Sequence, residues 1–406
     1  MSVLRGKSII LGLSGGIAIY KSVPLLRRLT RDHQCNVRVV MTRSAQKFMS
    51  PLIFETFSGK EVITDMFHAE KEIVGTRHID LVLGSDLFAV IPATANILGK
   101  VCGGIADDAL STMLMVSEPG KTVFAPAMNT NMYNNPNVRS NLQKLRDMRY
   151  HLIEPETGAL ATSTEGWGAG RLPDERTLLF YLEKALFDQD TTPLKGKNVL
   201  VTGGPTREAI DDIRFISNPS SGKMGVALAE NAAKQGANVH YISGPSALPD
   251  PLGSETVHVQ SAAEMKNAVL DIYPDQDIVV MAAAVEDIRP RNVQKGKIRK
   301  SGIPEKLNLG RTEDILRIMG KEKKKQTLIG FSVEMENEIE HSLVKLREKN
   351  LDWIVMNNPQ KTESAFGGNN NRVTVINRRE ESTSLPLLSK KETAEQIWQL
   401  ILKTEN

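Results

Sequence analysis

The stretch "LKGKNVLVTGGPTRE" (Leu194–Glu208) repeats the plan of "RGKSIILGLSGG" (Arg5–Gly16), which opens the chain. Each is a Gly-Lys pair, a short apolar strand and a glycine-containing turn. Each turn leads, sooner or later, to an expected helix, over 18–32 in the first half and 224–235 in the second. A further strand follows each helix, "NVRVVM" (Asn36–Met41) and "NVHYIS" (Asn238–Ser243). Continuously apolar strands alternating with helices mean a parallel sheet covered on both faces. Two such openings predict an α/β chain of two doubly wound domains. The boundary is expected in the polar "DQDTTPLKGK" (Asp188–Lys197), giving domains 1–190 and 191–406.

Composition narrows the class. The 406 residues are 40% hydrophobic and 24% charged, the balance of a soluble globular protein of more than one domain. A net charge of +3 and the lack of an aromatic-basic platform argue against nucleic acid. The basic run "KEKKKQ" (Lys321–Gln326) reads as a solvated turn after a helix. The two cysteines, Cys35 and Cys102, have no metal spacing, which points to a reducing cytoplasm. The apolar run near the start is too short for a signal peptide, and no stretch is long enough to span a membrane. No residue set is assigned to a metal.

Neither glycine turn is a standard phosphate motif. "GLSGGIA" and "TGGPTRE" lack the G-x-G-x-x-G spacing. "SSGKMG" (Ser220–Gly225) lacks the upstream glycine of a P-loop and has Met224 where a hydroxyl would hold magnesium. What stands out is the character of the strand ends. "FAPAMNTNMYNNP" (Phe124–Pro136) runs from a short strand (122–125) into an uncharged loop of asparagines and methionines. "LSGG" (Leu13–Gly16), "MTRSA" (Met41–Ala45), "VIPATAN" (Val90–Asn96) and "GIADDALST" (Gly104–Thr112) are similarly small and polar. In an open parallel sheet, ligands bind outside the carboxyl ends of the strands. These loops are expected to converge there, with a phosphate on the N–H groups at Ser14 and Gly15 and a flat ring against Pro92, Ala93 and Met128.

The set Ser14-Gly15-Gly16, "PATAN", "GIADD" and "PAMNTNMY" resembles the FMN-dependent cysteine decarboxylases. That resemblance implies a flavodoxin-like first domain holding FMN through Ser14, Gly15, Gly16, Ser44, Pro92, Ala93, Thr94, Asn96, Ser111 and Met128. It implies Asn129 as the residue that binds the substrate carboxylate, with Met132 shaping the pocket, and His78 of "TRHIDLVLGSD" as the base. The implied chemistry oxidises the cysteine side chain to a thioaldehyde, which lets carbon dioxide leave. The resulting enethiolate is then protonated and re-reduced. A neutral histidine can accept the thiol proton near pH 7.

"GPTREAIDDIRFISNPSSGKMGVALAENAAKQGANV" (Gly204–Val239) closely resembles the ligase half of the bacterial bifunctional flavoproteins of coenzyme A synthesis. The likeness spans nearly the whole chain, with both halves in order. It implies a second, Rossmann-like domain that joins 4'-phosphopantothenate to cysteine through an acyl-cytidylate, using CTP and Mg²⁺. Read physically, "RFISNPSSGKMG" is a cradle for a phosphorylated acid. By resemblance Asn218 stabilises the acyl-nucleotide and Arg214 assists turnover. The nucleotide is assigned in the same way to Met281, Ala282, Ala283, Asp287, Lys297, Glu313, Asp314, Ile315, Leu316, Phe331, Lys345 and Lys349. Lys345 and Lys349 fall four apart on one helix face, suited to a triphosphate. The family also implies a homo-oligomer, a dodecamer built from flavin-domain trimers and ligase dimers.

One segment departs from the family. Its flap usually carries a cysteine that protonates the enethiolate, but "GALATSTEGWGAGRLPD" (Gly158–Asp174) has none. Thr164 takes that place, or Thr162 if two residues are inserted, and Glu165 is the nearest acid. Two alternatives therefore stand beside the bifunctional reading: an active ligase with an altered flavoprotein half, and a flavin-binding regulatory or scaffolding subunit.

Overall fold

The computed structural model describes residues 3–66, 77–160, 166–187, 192–299, 306–333, 338–357 and 368–404. The chain separates into two compact units, Met1–Asp188 and Gln189–Asn406.

In the first unit, strands β1 (Ser8–Leu13), β2 (Asn36–Met41), β3 (Leu87–Ala93), β4 (Thr122–Pro126) and β5 (His151–Leu152) form one sheet in the order 2-1-3-4-5. Every pairing is parallel, and this is the strand order of flavodoxin-like sheets. Alternate residues of β1 and β3 point to opposite faces and fill two cores. Leu11, Leu13, Ala89 and Ile91 go to one, and Ile10, Phe88 and Val90 to the other. An antiparallel hairpin of β6 (Glu156–Ala159) and β7 (Trp167–Arg171) lies outside the sheet. The expected long helix over 18–32 is broken into a 3₁₀ turn (Ile17–Lys21), one α stretch (Ser22–Arg27) and a wide π turn (Arg28–Asp32). Pro24 has no N–H for the carbonyl one turn back, so the early turns cannot close as regular α-helix.

The second unit has β8 (Asn198–Gly203), the hairpin of β9 (Arg207–Ala209) and β10 (Phe215–Ser217), then β11 (Asn238–Ser243), β12 (Ser254–His258) and β13 (Ile278–Met281). After these come the hairpin of β14 (Ile288–Pro290) and β15 (Leu309–Arg311), then β16 (Thr327–Val333) and β17 (Trp353–Asn357). The short β18 (Asn370–Asn371), β19 (Val373–Asn377), β20 (Ser382–Ser384) and β21 (Leu388–Ser389) complete it. The main sheet runs β12-β11-β8-β13-β16-β17-β19-β20. Its first six strands are parallel in the doubly wound order 3-2-1-4-5-6, and β19 and β20 add antiparallel. Both units are thus doubly wound, as the two openings predict. The turn "KEKKKQ" is exposed at Lys321, Lys324 and Lys325, as expected, with one exception. Lys323 is largely buried and paired with Asp352, whose carboxylate also accepts the Leu328 N–H, so this turn is anchored.

Candidate functional site

In the first unit the turns after β1, β2 and β3 meet. The Ser14 hydroxyl donates to the Pro92 carbonyl (2.8 Å) and accepts the Thr94 N–H (2.9 Å). That hydroxyl is used internally and buried, so backbone N–H groups are what this turn offers an anion. A Cβ on Gly15 would stand 2.3 Å from the Ser44 Cβ, and one on Gly16 would stand 3.3 Å from the Thr94 side chain. At Gly15 only glycine lets the turns approach so closely, whereas at Gly16 the contact is merely tight. Ser44 lies on the helix Arg43–Phe48, whose start is fixed by Thr42 accepting the Ala45 N–H.

A cavity of about 300 Å³ opens here, lined by Gly15, Gly16, Thr94, Met128, Asn129 and Met132. The hairpin presses on its far segment. The Met128 N–H donates to the Gly170 carbonyl (3.0 Å), and the Thr130 hydroxyl donates to the Ala169 carbonyl (2.8 Å). Gly170 has φ +124°, and a Cβ there would lie 2.1 Å from the Met128 carbonyl oxygen. Asn129 caps the short helix Thr130–Tyr133 through its side-chain oxygen.

Several assigned residues stand elsewhere. Pro92 and Ala93, expected against the ring, are not among the residues lining the cavity. Both are buried in β3, where their carbonyls accept from Ser14 and Ala127. Asn96 is exposed on the helix Ala95–Gly103. Ser111 is buried in a capping box with Asp108, so "GIADDALST" does not join the other turns at the cavity. His78 is half-buried in the first turn of the helix Arg77–Leu83 and is not among the lining residues. Thr164, with Thr162 and Glu165, falls outside the described residues. Cys102 packs beside the core and donates its S–H to the Asn141 carbonyl, while burial pushes its thiol pKa up.

Lys21 and Arg171 also line the cavity, and sequence reasoning gave neither a role. The Lys21 ammonium donates to the Leu172 carbonyl (2.6 Å). Burial first, and then the charge of Arg171, lower its pKa. The only sequence signal was position, since Lys21 lies one turn past the glycines.

The second unit has a larger cavity, about 530 Å³, where the order of the sheet reverses between β8 and β13. Met281 ends β13, and Ala282, Ala283 and Asp287 continue along its wall. The Thr202 hydroxyl accepts the Ala283 N–H (3.2 Å), and the Asn218 amide donates to the Ala284 carbonyl (3.3 Å). Opposite β8 stands the helix Lys223–Lys234, entered through Gly222 at φ +78°. A Cβ on Gly225 would lie 2.9 Å from the Thr202 carbonyl, so this helix also meets its strand through glycine.

Another wall is the start of the helix Ile315–Glu322. Glu313, Asp314, Ile315 and Leu316 all line the cavity, and Asp314 caps the helix by accepting the Arg317 N–H. Phe331 lines it from the end of β16. Lys345 and Lys349 are one turn apart, joined by the Lys349 N–H to the Lys345 carbonyl (3.0 Å), and Lys349 pairs with Asp314 at 2.8 Å.

Arg214 and Lys297 do not line this cavity. Asp211 gathers both segments instead. Its buried carboxylate accepts the N–H groups of Arg214 (2.7 Å), Ile213 (2.8 Å) and Ile298 (3.1 Å). Led by the Arg214 N–H, these bonds hold its carboxyl below the usual carboxylate range. The Arg214 guanidinium reaches the Ile298 carbonyl (3.4 Å), and Asp212 accepts the Gly296 N–H (2.8 Å). Lys297 is therefore presented, exposed, on a loop tied to the segment carrying Arg214. Four further lining residues, Lys223, Asn357, Asn371 and Lys390, were missed as site residues.

Residues 2–185 match the family described as Flavoprotein. Residues 194–404 match the DNA/pantothenate metabolism flavoprotein C-terminal domain. The coenzyme A biosynthesis bifunctional protein CoaBC of Bacillus subtilis (strain 168) is 42% identical over 400 residues, covering 98% of this chain and 97% of that protein. The protein of the same name from Vibrio cholerae is 36% identical over 404 residues, 99% of each chain. A cysteine/cysteine sulfinic acid decarboxylase of an unknown prokaryotic organism is 39% identical over 359 residues, 87% of this chain and 99% of that one. Among solved structures, the C-terminal domain of a CoaBC protein aligns with a TM-score of 0.46 and 43% identity, over 53% of this chain and 98% of that one.

Proposed function

The chain belongs to the family of bifunctional coenzyme A biosynthesis proteins, pairing a flavoprotein decarboxylase half with a ligase half, and from that premise we propose how its own residues divide the work. The second half, 191–406, joins 4'-phosphopantothenate to cysteine through an acyl-cytidylate formed from CTP. The carrying observation is that every residue assigned to the nucleotide except Lys297 lines one cavity, at the reversal point of a doubly wound sheet. Lys345 and Lys349 offset triphosphate charge as the carboxyl group attacks the α-phosphate. Asn218 lies at the same wall and steadies the mixed anhydride until cysteine displaces the nucleotide. Arg214 and Lys297, coupled through Asp211, act from a loop that closes over the reactants. Mg²⁺, bound together with the nucleotide, would offset charge on its phosphates.

The first half, 1–190, removes the cysteine carboxylate of the product. The cradle of Gly15 and Gly16, which a Cβ would fill, fits the flavin phosphate, and the cavity beside Met128 is at the lower end of ligand-pocket size. FMN, when bound there, supplies the oxidation and return of reducing equivalents. Asn129 holds the carboxylate against that surface, and His78 accepts the thiol proton. His78 lies outside the lining of the single-chain cavity, which suits a site completed in a homo-oligomer. Light scattering of the flavin-loaded protein is expected to give a multiple of three chains, and a fully loaded monomer would refute this. A cytoplasmic enzyme accords with these proposed reactants.

A second reading has a specific observation behind it. The flap has no cysteine, Cys102 donates into the core, and a relative of comparable identity is a cysteine/cysteine sulfinic acid decarboxylase. The ligase half would then be intact and the flavin half altered in substrate or last step. Pyrophosphate release that requires both CTP and cysteine tests the ligase assignment and excludes a purely regulatory subunit. Absence of that release would overturn it.

A further inference from the structure

The large cavity holds a second cationic group, drawn from both ends of the ligase half. Lys223 starts the helix Lys223–Lys234, and Lys390 starts the helix Lys390–Thr404. The Trp398 indole N–H, buried, donates to the Leu228 carbonyl (3.1 Å) and holds the helices together. Asn369 ties their first residues to one point. Its side-chain oxygen accepts from the Lys223 ammonium (2.8 Å), and its carbonyl accepts the Lys390 N–H (2.9 Å). Both lysines line the cavity, together with Asn371 and Asn357. The Asn357 side-chain oxygen is buried and has no hydrogen-bond partner among the described residues. Burial first, then the charge of Lys223, lowers the Lys390 pKa.

This pair differs from the one at Asp314. Lys349 is paired there with a carboxylate, whereas among the described residues no carboxylate pairs with Lys390. Two ammonium groups at two helix N-termini, held close against their mutual repulsion, form a site that an anion completes. In the ligase reading, on which this inference rests, the nucleotide is held at Asp287, Glu313–Leu316 and Lys345/Lys349, with the two lysines against its triphosphate. The acid substrate carries its phosphate at the opposite end from its reacting carboxyl. We propose that Lys390, with Lys223, binds the phosphate monoester of the acid substrate and so selects the phosphorylated over the unphosphorylated acid. The unpartnered Asn357 oxygen receives a hydroxyl or amide hydrogen from the body of the same molecule.

The test uses the full-length flavin-loaded protein and the variants Lys390→Ala and Lys390→Arg, with retained flavin and an unchanged melting temperature as the check on folding. Pyrophosphate release is followed while either 4'-phosphopantothenate or CTP is varied. Loss of one charge-assisted contact should raise the KM for the acid about tenfold or more in Lys390→Ala. The KM for CTP should stay within about twofold, and Lys390→Arg should recover most of the loss. An unchanged KM for the acid would overturn the inference. So would an equal rise for CTP, which would put Lys390 on the triphosphate. Calorimetric titration with 4'-phosphopantothenate and with pantothenate, without CTP, reads the site apart from turnover. A Lys390-dependent preference for the phosphorylated acid in a protein that releases no pyrophosphate keeps the subsite and sinks the ligase reading. Equal binding of both acids sinks the subsite alone.

Discussion

Replacing Gly15 by alanine should dismantle the flavin site while leaving ligation intact. The new Cβ would lie 2.3 Å from the Ser44 Cβ and 2.7 Å from the Ser44 carbonyl carbon, where ordinary contact begins at 3.4 Å. Ser44 cannot swing aside, because the encroached atoms include backbone and the capped helix Arg43–Phe48 holds them. The two turns must therefore part by about 1.1 Å. Hydrogen-bond distances span only about 0.5 Å, so N–H donors displaced that far stop reaching a phosphate. Loss of one charge-assisted bond of about 1.5–3 kcal/mol corresponds to a fall in FMN affinity on the order of 10- to 100-fold. Overpacking adds about 1–3 kcal/mol of destabilisation to this unit. The assay is flavin absorbance per chain after gel filtration, followed by fluorescence titration of stripped protein with FMN. Pyrophosphate release serves as the control on the other unit. A Gly15→Ala protein that binds FMN within twofold of the parent would refute the contact reasoning and the cradle with it.

Other outcomes follow from the same geometry. Asn218→Ala and Lys297→Ala should each cut acyl-cytidylate turnover by about tenfold or more with bound flavin unchanged; loss of flavin without slower ligation would contradict the division of labour. Incubated with phosphopantothenoylcysteine, the protein should release carbon dioxide faster than it forms phosphopantetheine, because no flap thiol returns the proton. Mass spectrometry showing fast, complete conversion, unaffected by Glu165→Gln, would show that the thiol is dispensable. Asp211 is held below its ordinary value of 3.8 in the folded chain. Its contribution to stability is therefore complete above that value and is lost as pH falls through the lower folded pKa. Asp211→Asn should flatten the acid limb of the urea midpoint against pH, and an unaltered limb would mean that the Asp211 bonds carry no stability.

The sequence alone determined the doubly wound class. Continuous apolar strands, glycine turns and helical stretches are local patterns, and each is legible within about a dozen residues. It also pointed to strand-end segments, several of which line the two cavities, since a ligand in such a sheet has one edge to occupy. It did not encode which strands become neighbours. Similar openings lead to the order 2-1-3-4-5 in one unit and to 3-2-1-4-5-6, with two added antiparallel strands, in the other. Strand order depends on pairing between segments far apart in the chain. The same limit hid Asp211, which draws Arg214 and the loop of Lys297 to itself across more than eighty residues. It hid Lys390 too, an unremarkable lysine until the Trp398 bond to Leu228 lays its helix beside the one that begins at Lys223. Pattern reveals what a segment prefers to be. Only closure of the chain decides which side chains share a cavity, because burial and charge act through space and not along the sequence.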